Sequence, residues 1–324
     1  MTAALQVALF GECMLELQGQ AFGAMRQTFG GDTLNTAVYL ARLAGGRGLD
    51  VMYATGLGDD SLSDGLLQRW QAEGVSTRLV RRIPGRMPGL YLIEVDERGE
   101  RRFSYWRDTS AAKAYFETPP GNTSPDNTPL EDAAGRLHAL YFSGISLAIL
   151  PPEGRARLFA LAQALRKRGA QVVFDNNYRP RLWPDPVQAR DSYARAFELA
   201  SLALVTADDH QALHQLPSLE AAIVAAQALP TPELVIKRGA EPTLLRGGAG
   251  EPWQSVATEP VPRVVDTTAA GDSFAAGYLA RRLLGAGSAE AAAFGNRLAA
   301  RVIQHPGALI EPQAMQDLLA DEPG

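Results

Sequence analysis

Toward its end the chain reads Asp266-Thr267-Thr268-Ala269-Ala270-Gly271-Asp272-Ser273-Phe274-Ala275-Ala276-Gly277, and an amphipathic helical run follows. Small residues crowd the backbone just ahead of an aspartate. The first N–H groups of a helix have no partner inside it, and the aligned peptide dipoles favour negative charge there. Such a start is an anion site. Ala269, Ala270 and Gly271 would line it with backbone N–H groups. Asp272 beside them would take a proton from an attacking hydroxyl, as a phosphotransferase acting on an alcohol requires. Taken alone, the same residues serve equally well as a Gly-bearing turn into a helix.

A second segment, Phe29-Gly30-Gly31-Asp32-Thr33-Leu34-Asn35-Thr36-Ala37, brings two glycines that let a ligand approach the backbone closely. Asp32 offers an acceptor and Asn35 both a donor and an acceptor, which suits hydroxyl groups. Asp32 or Thr33 serves equally as a helix N-cap. Tyr91, Tyr105 and Arg107 lie on a hairpin pattern, where residues on paired strands meet. The planar fork of Arg107 suits a carboxylate; the plain alternative is an arginine exposed on a surface strand. Asn177 and Arg179 follow a strand end, where ligands of open α/β sheets gather. Arg179 either reaches a phosphate or carboxylate, or pairs with Asp175 or Asp185. Lys237 and Gly239 end another strand, and Lys237 alone is an ordinary strand-end charge. There is no Gly-x-x-x-x-Gly-Lys-Ser/Thr loop. The four histidines show no metal-binding spacing; His210 and His214, four apart on a helical stretch, read as structural.

Strands alternating with helices must position these groups. Leu5 to Phe10, Val51 to Thr55, Ala139 to Phe142, Val172 to Asp175, Leu202 to Val205 and Leu234 to Lys237 are short apolar runs. Helical spacing covers Thr33 to Leu43, Leu62 to Glu73, Arg155 to Arg168, Pro186 to Leu199 and Ala289 to Ala300. The pattern predicts a mostly parallel sheet covered on both faces. Gly89 to Val95 and Arg101 to Arg107 break the rhythm as a hairpin turning at Glu97-Arg98-Gly99-Glu100. Such an insertion is placed to act as a lid. Glu241 to Ala257 is hairpin-like, and Thr118 to Pro129, rich in Pro, Asn, Thr and Gly, reads as a surface loop.

The chain has 324 residues, 46% of them hydrophobic and 21% charged, as an ordinary soluble globular protein has. That length fits one α/β domain spanning 1–324. A net charge of -5 argues against nucleic acid or an anionic membrane as a partner. No stretch is long enough for a membrane span, and the first ten residues lack a signal peptide's basic region. The single cysteine, Cys13, excludes an internal disulfide framework, fits a cytoplasmic protein and reads as a buried strand residue.

The two Gly-Asp segments resemble the two signatures of the ribokinase-like (PfkB) carbohydrate kinases, and Ala276-Gly277-Tyr278-Leu279 completes the second. The likeness runs from about Val7 to Gly307. It implies a ribokinase-like α/β fold whose β lid is built from about 14–29 and 87–110. It also implies Asp272 as catalytic base, an anion hole at Ala269, Ala270 and Gly271, ATP with Mg2+, and a homo-oligomer formed through the lid. Further wording resembles the branch acting on 2-keto-3-deoxygluconate: Gly11-Glu12-Cys13-Met14, Pro88-Gly89-Leu90-Tyr91, Tyr105-Trp106-Arg107-Asp108, Ser143-Gly144-Ile145-Ser146-Leu147-Ala148 and Phe174-Asp175-Asn176-Asn177-Tyr178-Arg179-Pro180-Arg181-Leu182-Trp183. By that resemblance Gly31, Asp32, Asn35, Tyr91, Tyr105, Arg107 and Arg179 hold the sugar acid with Asp272. Asn177, Arg179, Lys237, Gly239, Ala269, Gly271 and Asn296 lie along the nucleotide. A monovalent cation such as K+ is implied near Asp266 and Thr268. Another PfkB sugar kinase such as a fructokinase, or a silent sugar-acid sensor, remains the alternative. One departure stands out: the family's Asn-x-x-Glu, which helps organise magnesium, is here Thr206-Ala207-Asp208-Asp209, so the metal's protein ligands are left unassigned.

Overall fold

The computed structural model describes residues 3–20, 22–95, 101–118 and 127–321. The expected turn at 97–100 and most of the loop after Thr118 lie outside them. The chain begins with β1 (Leu5–Phe10), β2 (Met14–Gly19) and β3 (Met25–Gly30), then enters α1 (Asp32–Ala44). β4 (Leu49–Ala54), the two-residue β5 (Gly56–Leu57), α2 (Ser61–Ala72) and β6 (Arg81–Arg82) precede the pair β7 (Gly89–Val95) and β8 (Arg101–Trp106). After α3 (Pro129–Ala133) come β9 (Ala139–Ser143), α4 (Gly144–Ile149), α5 (Pro152–Lys167), β10 (Gln171–Asp175) and α6 (Pro186–Leu199). β11 (Leu202–Thr206), α7 (Ala207–His214), α8 (Leu219–Gln227) and β12 (Glu233–Arg238) follow. β13 (Glu241–Arg246), β14 (Gln254–Val256), α9 (Ala270–Arg282), α10 (Ser288–Val302) and α11 (Gln316–Ala320) complete the chain.

Among the described residues the main sheet has eight strands in the order β14-β13-β12-β11-β10-β9-β1-β4. The six from β4 to β12 are parallel, and β13 and β14 add an antiparallel edge. Strand side chains alternate between faces, so each apolar run feeds two cores. Val7 and Leu9 of β1 join one cluster and Ala8 and Phe10 the other. Leu202 and Leu204 of β11 are likewise separated from Ala203 and Val205. The first cluster takes in α1, α9 and α10; the second takes in α5, α6 and α7. Burial on both faces is why these strands read as continuous apolar runs rather than alternating ones.

A second sheet, ordered β3-β2-β7-β8, stands apart from the first. β2 pairs antiparallel with β3 and parallel with β7, while β7 and β8 form the expected antiparallel pair. Cys13 is buried as expected, but it lies in the three-residue link between β1 and β2 rather than in a strand. Pro129 opens α3 behind a Thr128 capping box instead of closing a loop.

Candidate active site

Strand order reverses at β1, with β4 on one side and β9 through β12 on the other. A crevice forms outside the carboxyl ends of the strands at such a reversal. Asp175 ends β10, Lys237 lies near the end of β12, and α1 and α9 begin at this edge.

α1 starts where it does because Gly31 lets two backbones touch. A Cβ on Gly31 would sit 2.2 Å from the carbonyl oxygen of Glu12. α1 and α9 pack in one core and are joined at their first turns. Asn35 Nδ2 donates to Asp272 Oδ2 at 2.8 Å, and the Thr36 hydroxyl donates to the Asp272 carbonyl at 3.2 Å. Asn177 Nδ2 donates to Asp32 Oδ2 at 2.6 Å. The two aspartates of the two sequence motifs, 240 positions apart, therefore face one site.

The carboxyl of Asp272 is pushed up to about 7, first by burial, then by the negative charge of Asp32, with Asp175 adding to it. The Asn35 hydrogen bond and the Lys237 ammonium pull the other way. Burial also raises Asp32, against hydrogen bonds from Ser143, the Thr33 N–H and Asn177. A base poised near neutrality suits proton abstraction from an alcohol.

Ala269, just before α9, is left-handed at φ 61°, and no side chain caps the helix. The Ala270 N–H bonds back to the Thr267 carbonyl at 3.2 Å, and the Ser273 N–H takes the Ala269 carbonyl at 2.9 Å. Among the described residues nothing accepts from the N–H groups of Gly271 and Asp272. Of the three residues expected to line the anion site, Ala270 thus has its N–H engaged, Gly271 keeps a free donor, and Asp272 adds one that was not expected. The left-handed turn tucks the Ala270 N–H inward and leaves the next two free. A Cβ on Gly271 would lie 3.4 Å from Lys237 Nζ, so a cation stands beside these donors. Lys237 Nζ is held by Asp175 Oδ2 at 2.9 Å.

Arg179 pairs with Asp209, at 3.1 and 3.3 Å, and with neither aspartate suggested by the sequence. Asp175 is engaged by Lys237, and Asp185 caps α6 through the Val187 N–H at 2.8 Å. The side chain of Asn176 bridges to β11 as a peptide would, giving to the Thr206 carbonyl at 3.0 Å and taking its N–H at 2.8 Å. That rung lets the chain leave the sheet at Asn177. Gly239 has φ +62° in the β12–β13 turn, facing open space. Asn296 is buried, its carboxamide joined to the Thr243 hydroxyl and the Ala257 carbonyl, each at 3.0 Å. It braces α10 against the hairpin.

On the second sheet, the Tyr91 hydroxyl donates to Glu16 Oε2 at 2.5 Å, and a Cβ on Gly30 would lie 2.9 Å from that hydroxyl. Tyr105, 44% exposed, packs on Tyr91 at 5.9 Å between ring centroids, and the Arg181 guanidinium lies over the Tyr105 ring, 5.9 Å from its centroid. Arg107 is not exposed: its Nη2 donates to the buried carboxylate of Glu12. Glu12 and Glu16 were not singled out by residue chemistry, because their partners are 95 and 75 positions away. His210 is buried and meets His214 edge to face, 4.6 Å between ring centroids; burial and that neighbour hold it down to about 4.

Among the described residues, no group of three or more His, Cys, Asp or Glu could hold a metal, and no helix is long and apolar enough to cross a membrane.

Known proteins match this architecture along its length. The chain is 43% identical over 312 residues, 96% of its length, to the 2-dehydro-3-deoxygluconokinase of Escherichia coli strain K12, covering 98% of that protein. It is 39% identical to the protein of the same name from Haemophilus influenzae, over 98% of this chain and 99% of that one. The crystal structure of aminoimidazole riboside kinase from Salmonella enterica, complexed with aminoimidazole riboside and an ATP analog, superposes with a TM-score of 0.78 at 25% identity, over 98% of this chain and all of that one. The model of the pfkB family carbohydrate kinases matches residues 4–314, and with two motif aspartates gathered beside an open helix start, this chain belongs to that family.

Proposed function

We propose that this protein is a cytoplasmic 2-dehydro-3-deoxygluconokinase, transferring the γ-phosphoryl group of ATP to the terminal hydroxyl of 2-keto-3-deoxygluconate. The observation that carries the reading is Asp272, held near neutrality beside two unengaged backbone N–H groups. Identity of 43% across nearly the full length of kinases of that name supports the substrate.

In this reading ATP lies along the carboxyl edge of the main sheet, past Asn177, Arg179, Lys237 and Gly239. The sugar acid lies between Asp32, Asn35 and the second sheet, which acts as a lid. Arg107 faces its carboxylate, and Tyr91 and Tyr105 face its carbon chain. Asp272 takes the proton of the attacking hydroxyl, whose oxygen bonds to phosphorus as the bond to the leaving ADP oxygen breaks. The Gly271 and Asp272 N–H groups and the Lys237 ammonium meet the charge on the transferring group. Lid closure excludes water and limits idle hydrolysis.

Magnesium is bound by one or two carboxylates together with phosphates and water rather than by a protein cage. At this edge Asp175 already pairs with Lys237 and Asp209 with Arg179, so the ion would be held chiefly by the phosphates and water while it neutralises triphosphate charge. The Asp266 carboxylate likewise already accepts from the Thr268 N–H at 3.0 Å, the Thr268 hydroxyl at 2.6 Å and the Gly307 N–H at 3.1 Å. A monovalent cation is therefore given no step. Exposed Met25 and Trp106 lie on the face of the second sheet opposite Tyr91 and Tyr105 and offer that face to a second copy.

The test is an ATP-consumption assay with 2-keto-3-deoxygluconate, fructose and gluconate in competition. The keto-acid should be consumed far faster than either. Preference for fructose would replace the reading with a fructokinase, and binding without turnover with a sensor.

A further inference from the structure

Glu12 sits at the joint of the two sheets. It follows β1, its carbonyl borders Gly31 at the start of α1, and its side chain lies beneath β7, where a Cβ on Gly89 would come 2.9 Å from Oε1. Its side chain is 1% exposed, and that of its partner Arg107 is 10% exposed. Taking two charges out of water is expensive unless the geometry is complete. Here it is incomplete. A carboxylate and a guanidinium can make two parallel bonds; this pair makes one, from Arg107 Nη2 to Oε2. Glu12 Oε1 and Arg107 Nε are buried with no partner at all. A pair serving stability alone would close the fork. This one leaves the fork open, anchored at one corner on the main body while its backbone follows directly on β8 of the second sheet.

We infer that Glu12 is a positioning residue for substrate: it anchors Arg107 so that the N–H groups not engaged by Glu12 meet the sugar-acid carboxylate. The inference rests on the reading of Arg107 given above. Glu12 also offsets the charge of Arg107, so discrimination depends on placement of the fork rather than on net charge. The residue touches Arg107 and not the reacting atoms, so its loss should change binding of the acid group and spare the chemical step.

Steady-state kinetics on 2-keto-3-deoxygluconate and on its methyl ester, which masks the carboxylate, separate these effects. Glu12→Gln is expected to raise KM for the acid about tenfold or more, as loss of a charge-assisted bond does. It should change kcat less than about threefold and leave KM for the ester and for ATP near the wild-type values. Added to Arg107→Ala, it should raise KM no further. Equal shifts for acid and ester, an unchanged KM for the acid, or full additivity with Arg107→Ala would overturn the inference. Thermal melting tells a folding defect from a binding one. If Glu12→Gln does not fold, Glu12→Asp keeps the buried charge and draws the anchor back by one methylene. That variant should lose much of the preference for acid over ester, and an unchanged preference overturns the inference. Wild-type enzyme inactive on the acid would instead overturn the reading of the reaction, which keeps the two failures apart.

Discussion

Asp272 is a carboxyl group whose neighbours make its charge unwelcome. A base must be deprotonated to act, so kcat/KM should climb as pH rises through about 7 and level off above it. Asp272→Asn should lower kcat about 10²-fold or more while ATP still binds. The same crowding has a thermodynamic sign. A carboxyl raised in the folded state favours the folded protein's protonated form, so stability is lost as pH rises from the ordinary value of about 4 toward 7. Asparagine cannot suffer that loss. At pH 8 the variant should therefore melt at a higher temperature than wild type, and equal melting temperatures would show that the carboxylate is not disfavoured there. Both motif aspartates were legible from sequence because each follows small residues and opens an amphipathic run. Their meeting was legible only through the family resemblance, since nothing local says that two helix starts share one point.

At the scale of elements, helix starts are where this chain carries strain and close contact. Left-handed backbone costs a non-glycine residue about 1–2 kcal/mol, and Ala269 adopts it. Ala269→Gly should relieve most of that, offset by the freer unfolded chain, for a net gain of up to about 1 kcal/mol in urea melts. A loss of stability would argue that the turn is unstrained. Gly31→Ala does the reverse. Its new Cβ meets a backbone oxygen that cannot swing aside, so a loss of about 1–3 kcal/mol is expected, and an unchanged midpoint would contradict the contact. Strands of the main sheet were legible because burial on both faces leaves short unbroken apolar runs. α4 was not: six residues capped by Ser143 and Ser146 carry no periodicity. Arg179 was legible as a strand-end cation but its partner was not, because Asp209 is delivered by a different strand–helix unit.

For the whole molecule, acid acts through opposing groups. His210 is held down to about 4, first by burial, so the unfolded chain binds a proton that the folded one refuses. Its contribution to stability falls as pH drops from about 6.5 to 4, by about 3 kcal/mol at most, while that of Asp272 rises across the same window. Asp60, Glu131 and Asp317, whose hydrogen bonds hold them below the ordinary carboxylate range, add their losses only below about pH 4. Urea midpoints of wild type and His210→Gln from pH 7 to 4 should therefore diverge, the wild type losing more, or gaining less, on acidification. Parallel pH profiles would show that folding does not hold back the His210 proton. The fold class was legible because every level agreed: apolar runs, helix spacing and a hairpin insertion. The joint between the sheets was not, since Glu12 and Arg107 meet only after both sheets exist.

Cys13, the one sulfhydryl among 324 residues, is sealed beside that joint and shifted by burial toward its unreactive protonated form. The molecule therefore contains a clock of its own. An alkylating reagent will label only chains whose two sheets have momentarily parted, and the labelling rate counts those excursions one molecule at a time.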